Sequence, residues 1–444
     1  MRRSLLAFLT FLAAYLAVLS LGWFGQAGTA GELSGHAAKI EAILHLLRNG
    51  DFAWFPEYLG GSPTATLLSY ALSVPIYAPA LLLTSNHLAA MKITGLVLLA
   101  LGGLAAYGFG RRLSGCGWSG FAVGCAYLLA PQVLLRLGWY EHMTIVTAIP
   151  LVPLTFLALL RVAERGSPFD GILLAVSFSA TLLAWSKMGA TLVIPLAIFA
   201  VWLFFARREC RRNLLYGAAW AVPATLLIGV IPLLPLLRER GFMTVFELDP
   251  FAGWQQTYSV KAATSWFDRG GALFAELPLQ FRMDKGGYYL GLVGIAAVAW
   301  TIYSTWRTTQ RTREVTLIRL FVLIALAMFW CSFGPRSVIE GHFQFLSVAE
   351  NFPDAGIPLH WLVLAAQGIA IYWCLPFWWL PAGRWRTGVF AAIYALYLFV
   401  PAFRVLEHLP LYADLRAPES FWILNGAFAW AVGSALAVIL AVRT

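Results

Sequence analysis

A chain of 444 residues that is 60% hydrophobic and only 12% charged cannot be an ordinary soluble domain, in which about a quarter of the residues carry charge. The net charge of +10 comes from Lys and Arg gathered in short clusters between apolar runs, a pattern of membrane topology rather than of a nucleic-acid surface. An all-α, polytopic membrane protein is therefore expected, with the lipid bilayer as a partner and no nucleic acid.

A bilayer-spanning helix needs roughly 20 mostly apolar residues. About twelve segments approach that length, near 4–24, 89–110, 117–136, 144–161, 170–186, 189–206, 213–237, 287–305, 316–333, 358–380, 386–403 and 420–441. With the N-terminus inside, the clusters at Arg2/Arg3, Arg111/Arg112, Arg161/Arg165, Arg207 to Arg212, Arg307 to Arg319, Arg384/Arg386 and Arg443 all fall on the cytoplasmic side, where basic residues are retained. Among the acids only Glu164, Asp170, Glu209 and Glu314 join them. Both termini are then cytoplasmic, the membrane is the inner (plasma) membrane, and the basic loops suit an anionic inner leaflet.

Met1 to Phe24 has the basic start and apolar run of a signal peptide, but the run exceeds the roughly 7–15 residues of a signal core. It reads as a retained first helix. The first outer loop, 25–88, carries Ile40, Ile43, Leu44 and Leu47 at helical spacing, with Lys39, Glu41, His45 and Arg48 on other faces. This predicts an amphipathic helix lying on the membrane, closed by Gly50 and followed by Trp54, Phe55 and Tyr58 in the headgroup layer. Leu67 to Leu83 is apolar but broken by Pro75 and Pro79. As a span it would place Arg111/Arg112 outside, so it is read as re-entrant or interfacial.

The chain next reaches the outer side at Arg136 to His142 and again at Ser186 to Gly189. A second large outer loop, 238–288, is far longer than the ~12–15 residues of a plain connection, and so reads as a lid or a small folded element. The whole chain, 1–444, is expected to form a single membrane domain with no separate soluble domain. Cys116, Cys125, Cys210, Cys331 and Cys374 are widely spaced and suggest neither a disulfide framework nor a zinc site.

Glu32 and His36 stand four residues apart. If a helix begins by Glu32 they share a face at the membrane surface, where a carboxylate removes a proton from a hydroxyl and an imidazole orients it. The plainer reading is a solvated loop acid beside an interfacial histidine. Glu141 and His142 repeat the pairing at the outer mouth of the fourth span, although adjacent residues point different ways on a helix. Lys187, at an outer turn between two apolar segments, either holds a lipid phosphate as a point charge or merely marks the hairpin end. Arg282 in the long outer loop and Arg416 near the C-terminus complete the candidate substrate-binding set. Phosphate-cradling Gly-Lys loops, dinucleotide fingerprints, HExxH and GxSxG are absent, which argues against soluble nucleotide chemistry.

Several stretches carry a resemblance. They are an acid just after the first helix, then H-x-x-K-I-E from His36, R-x-G-D-F-x-W-F-P from Arg48, Gly60-Gly61-Ser62-Pro63, and Trp139-Tyr140-Glu141-His142 leading into Ala148-Ile149-Pro150-Leu151. With Leu415-Arg416-Ala417-Pro418 near the end, they resemble GT-C-type membrane glycosyltransferases, and in particular the bacterial 6-pyruvoyl-tetrahydropterin synthase-related and YfhO-like membrane proteins. The resemblance has order over residues 1–205 and continues beyond mainly as topology. It implies a GT-C-like fold and transfer of a sugar, with inversion, from a polyprenyl-phosphate donor to a glycan, lipid or protein acceptor.

In that scheme Glu32 is the general base and Glu141 the second acid, while His36, His142, Lys187, Arg282 and Arg416 bind substrate. The family more often has Asp where this chain has Glu32, and His where it has Lys187. Some GT-C enzymes use a divalent metal, so a divalent cation is the candidate cofactor, although the outer loops hold no evident carboxylate cluster for one. A non-catalytic membrane scaffold of the same topology and a lipid or polysaccharide transporter are the competing readings. A transporter would place charge in the middle of its spans and pair its broken helices.

Overall fold

In lipid, backbone groups find no water and must bond within the segment, so apolar stretches like these become helices. The computed structural model describes residues 2–25, 38–45, 48, 54–55, 62–63, 73–130, 133, 143–234, 292–306, 312–332, 365–375, 383–399 and 419–443. It is an all-α membrane protein, interrupted among these residues only by an antiparallel two-residue pairing of Trp54–Phe55 with Ser62–Pro63. The chain divides into two units, Met1–Leu128 with Val133–Val245, and Leu129–Gln132 with Phe246–Thr444.

The first unit contains α1 (Arg2–Gly25), α2 (38–45), α3 (Val74–Thr84), α4 (His87–Ser114), α5 (Gly117–Leu128) and α6 (Met143–Ala148). It continues with α7 (Leu151–Arg165), α8 (Pro168–Ala184), α9 (Ser186–Ala206) and α10 (Arg208–Thr225). The second unit contains α11 (Leu292–Thr305), α12 (Arg313–Ser332), α13 (365–374), α14 (Arg384–Phe399) and α15 (Glu419–Arg443). Among the described residues six helices are long and apolar enough to cross a membrane: Arg2–Leu21, His87–Ser114, Thr144–Arg165, Met188–Ala206, Arg208–Val230 and Asn425–Arg443. Val74–Thr84, Pro168–Ala184 and Val293–Thr305 are apolar but shorter.

Local chemistry accounts for several departures from unbroken spans. The fourth is interrupted by a turn at Ile149–Pro150 between α6 and α7, because proline removes a donor from the helix ladder. After Pro223, α10 gives way to a π turn, Leu226–Val230, and a 3-10 turn, Ile231–Leu233, that begins around Pro232. The α3 helix starts on Pro75 and contains Pro79. Its eleven residues cover about half of a bilayer crossing.

Little hydrophobic force separates helix from lipid inside a bilayer, so helices associate through close packing and small residues. Phe8 of α1 stacks on Tyr107 of α4 with ring centroids 5.0 Å apart, and the Tyr15 hydroxyl donates to the Leu128 carbonyl at 2.6 Å. Phe109, Phe156 and Phe199 bring α4, α7 and α9 together, with centroids 5.7–5.9 Å apart. Where α8 crosses α10, a Cβ on Gly171 would stand 2.7 Å from the Gly217 carbonyl oxygen.

The basic clusters of the first unit converge on one end. Arg112 at the close of α4 pairs with Glu164 at the close of α7 at 2.8 Å. Arg161 reaches Asp170 in the first turn of α8, with Nε and a terminal nitrogen both 2.8 Å from Oδ1. Asn213 of α10 donates to the Ala163 and Glu164 carbonyls at 3.1 and 3.0 Å. Gly166, at φ 61°, turns the chain there, and a Cβ would stand 2.8 Å from the Asn213 Cα.

At the same end Ser4 of α1 lies against Gly117, the start of α5, and the Arg211 Nε donates to the Phe204 carbonyl at 2.8 Å. Alternating helix direction, read from the charges alone, is thus realised in the packing. Within the second unit Arg443 closing α15 stands 3.9 Å from Glu314 opening α12. There the Arg319 guanidinium lies over the Trp373 ring at 4.8 Å, and the Trp373 indole donates to Thr305 at 3.0 Å.

Candidate functional site

The sequence places the candidate chemistry in the outer loops. Glu32, His36, Glu141, His142, Arg282 and Arg416 lie outside the described residues. Lys187 is placed by its backbone alone, in the first turn of α9 after the extended Trp185, at the end of that helix away from the basic cluster. Its side chain is outside the described residues.

The described side chains at this end form a chain that sequence reasoning missed. Ser85 takes a left-handed conformation, φ 51°, and closes α3 by donating its N–H to the Leu81 carbonyl. Asn86 then opens α4, its side chain accepting from the Ala89 N–H at 3.0 Å. This short reversal sets α3 beside the start of α4. The Tyr77 hydroxyl consequently meets His87 Nδ1 at 2.6 Å, with the rings 6.3 Å apart.

The α2 helix completes the arrangement. Ile40 and Ile43 are buried, Leu44 is half-buried, and Glu41, His45 and Arg48 are exposed. Its apolar face is therefore covered by protein, with Ile40 fully buried. Glu41 Oε1 lies 3.9 Å from His87 Nε2, beyond hydrogen-bond reach and hence an electrostatic contact.

Burial pushes the Tyr77 hydroxyl up to about 12, and the Glu41 carboxylate adds to the effect. The phenol therefore keeps its proton and is able to donate it to Nδ1. A neutral imidazole in that bond carries its own proton on Nε2, toward Glu41, because the two ring nitrogens divide one proton between them. A buried phenol thus orients an imidazole whose other edge is open, the side chain of His87 being 40% exposed. Such a group can accept, donate or hold a proton at the mouth of the helix bundle.

Lys92 lies five residues into α4, roughly 7.5 Å along the helix from His87 at 1.5 Å per residue. It is buried, at 9% exposure. Eleven residues separate it from Gly103, close to three whole turns, so both occupy one face of α4. At Gly103 that face meets Leu128 of α5, where a Cβ would approach the leucine to 2.8 Å. A cation at membrane depth is costly and is kept for a purpose by default. The signal was legible as a single lysine inside Leu88 to Leu101, and the reading of 89–110 as a plain span passed over it. Tyr77 and His87 gave no signal of their own, since their meeting depends on the left-handed Ser85.

No three His, Cys, Asp or Glu side chains converge as a metal ion would require, among the described residues. A divalent cation thus finds no ligand set among the described residues.

A family described as 6-pyruvoyl-tetrahydropterin synthase related domain, membrane protein, matches residues 68–335, more than half of the chain. The match spans Tyr77, His87, Lys92, Glu141, Lys187 and Arg282, whereas Glu32, His36, Glu41 and Arg416 fall outside it. No curated protein matches.

Proposed function

From the premise that the chain belongs to the 6-pyruvoyl-tetrahydropterin synthase related family of membrane proteins, we propose that it is an inverting glycosyltransferase of the GT-C type. It moves a sugar from a polyprenyl-phosphate-linked donor to an acceptor hydroxyl on the outer face of the inner membrane. Twelve spans carry the chain, and the basic ends of its helices, with both termini, face the cytoplasm. The turn between α3 and α4 then faces outward.

Glu32 removes the proton of the acceptor hydroxyl, the resulting oxygen attacks the anomeric carbon, and the bond to the phosphate oxygen breaks. Polyprenyl phosphate leaves with the electron pair. Glu141 is the second acid, while His36, His142, Lys187, Arg282 and Arg416 orient acceptor and donor phosphate.

The observation that carries this reading is the buried Lys92 near the outer end of α4, five residues along the helix from the His87 that bonds Tyr77. A positive charge held in the bundle near that mouth would stabilise the phosphate of a lipid-linked donor as it gains charge in the transition state. A non-catalytic scaffold of the same topology is the second reading, supported by Glu32 and Lys187 standing where the resembled GT-C enzymes more often have Asp and His.

The test is transfer of labelled sugar from a panel of polyprenyl-phosphate sugars by purified protein in lipid, with wild type beside Glu32→Gln and Lys92→Met. Transfer abolished by Glu32→Gln in a folded protein is the expected result, with Lys92→Met raising the donor KM roughly fivefold for one lost charge near the surface. Transfer that survives Glu32→Gln moves the base to another acid, and no transfer from any donor puts the scaffold ahead.

A further inference from the structure

The helices α7 to α10 enclose a groove unrelated to the residues above. It has a volume of about 590 Å³, within the range of sites that hold a small ligand. On α9 its wall is Val193, Leu196, Ala197, Ala200, Val201 and Phe204, and along α10 it runs from Leu214 to Thr225 and on to Leu226 of the π turn. Thr225 is the one polar residue of the lining. Both walls follow helical spacing, and the α10 stripe is roughly 18 Å long at 1.5 Å per residue. Small residues form its floor, and Val193, Val201, Leu215 and Val222 on its rim are about half exposed.

The groove is apolar along its length and basic at one mouth. Continuing the α10 stripe one turn past Leu214 and Leu215 gives Arg211, and a further turn gives Arg208. Arg211 is held there, since its Nε donates to the Phe204 carbonyl at 2.8 Å and its guanidinium lies 5.4 Å from the centroid of the Phe204 ring that lines the groove. Arg208 is exposed. A cationic mouth on a long apolar groove suits an acyl chain ending in an anionic phosphate.

We propose that this groove is a binding site for one anionic glycerophospholipid of the leaflet on the basic side, with an acyl chain between α9 and α10 and the headgroup phosphate on Arg208 and Arg211. The site differs from the surrounding annular lipid in requiring the phosphate charge without a compensating cation in the headgroup. It stands independently of the glycosyl-transfer reading, because its basic mouth lies at the opposite end of the bundle and its lining involves none of those residues.

The test is native mass spectrometry of the purified full chain, delipidated and titrated separately with phosphatidylglycerol, phosphatidylcholine and a polyprenyl phosphate. Wild type is expected to retain one phosphatidylglycerol under conditions that strip phosphatidylcholine. Arg208→Gln/Arg211→Gln should weaken that binding about thirtyfold, from about 1 kcal/mol per basic residue near a membrane surface. Ala197→Leu/Ala218→Leu, which fills the groove and leaves the arginines, should also release the lipid. Equal retention of the two phospholipids by wild type overturns the proposal without recourse to any variant. So does preferential retention of the polyprenyl phosphate, or unchanged phosphatidylglycerol binding in either variant.

Discussion

Replacing Asp170 by alanine should destabilise the first unit more than any loss of a surface charge could. Asp170 is 1% exposed. Its Oδ1 accepts two bonds from Arg161 at 2.8 Å, and its Oδ2 accepts from the Ser167 hydroxyl at 2.6 Å. The Ser167 Oγ in turn accepts from the Asp170 N–H at 3.1 Å, so carboxylate and N-cap hold each other across the turn into α8. Removing one partner of a buried ion pair costs about 3–5 kcal/mol, because the other charge is left without compensation. Arg161 is 25% exposed and regains some hydration, which places Asp170→Ala near the lower bound, at about 3 kcal/mol. Arg161→Ala leaves the more deeply buried carboxylate behind and should cost more.

The double variant Arg161→Ala/Asp170→Ala leaves neither charge and should cost less than the two single losses together, since contacting residues do not add. Equilibrium unfolding in detergent, followed through the fluorescence of the 19 tryptophans, measures all three. A cost below about 0.5 kcal/mol for Asp170→Ala, in the range of ordinary surface changes, would refute the reasoning, as would strict additivity in the double variant.

Tyr77→Phe should cost about 1 kcal/mol for the lost hydrogen bond and raise the rate at which diethyl pyrocarbonate modifies His87, read by peptide mass spectrometry. Because the folded Tyr77 titrates at about 12 rather than 10.0, its contribution is intact below pH 10. It is lost as pH rises through 12, a loss that Tyr77→Phe should not show in the same unfolding assay. Gly171→Ala should push α8 from α10, since its Cβ would meet the Gly217 carbonyl at 2.7 Å. Overpacking of this kind costs about 1–3 kcal/mol, measurable as a lowered unfolding midpoint. Cys116, in no disulfide and partly exposed in the turn between α4 and α5, should resist a membrane-impermeant maleimide added to intact cells and react in inverted vesicles. The background for that experiment has the other four cysteines replaced, and the reverse labelling pattern would invert the orientation.

How much of this was legible in the chain differed by feature. Within the first unit the gathering of basic residues at one end was plain, because each Arg cluster there falls between apolar runs. The amphipathic pattern of α2 was equally plain in Ile40 and Ile43, yet periodicity could not distinguish lipid from protein as the cover for that face. The break at Pro150 inside an apolar run and the π turn after Pro223 depend on how neighbouring helices re-satisfy freed backbone groups, which spacing along one helix does not reveal. Of the candidate site, the cationic half was readable at Lys92, an isolated charge in an apolar run. The Tyr77–His87 bond arises from a left-handed serine, a conformation that side-chain type alone does not announce.

The hold of Asn213 on the Ala163 and Glu164 carbonyls has a consequence for biosynthesis. Arg112 is already made when Glu164 emerges, and Asp170 follows within a turn or two, but Asn213 comes 50 and 49 positions after the carbonyls it binds. At about 5–20 residues per second, the last turn of α7 waits roughly 3–10 s for its final donors. During that interval those carbonyls must be served by interfacial water or lipid headgroups, so the α7–α8 hairpin is inserted before its end is sealed. A nascent chain halted before α10 would therefore expose a polar seam to quality-control proteases that the finished protein hides.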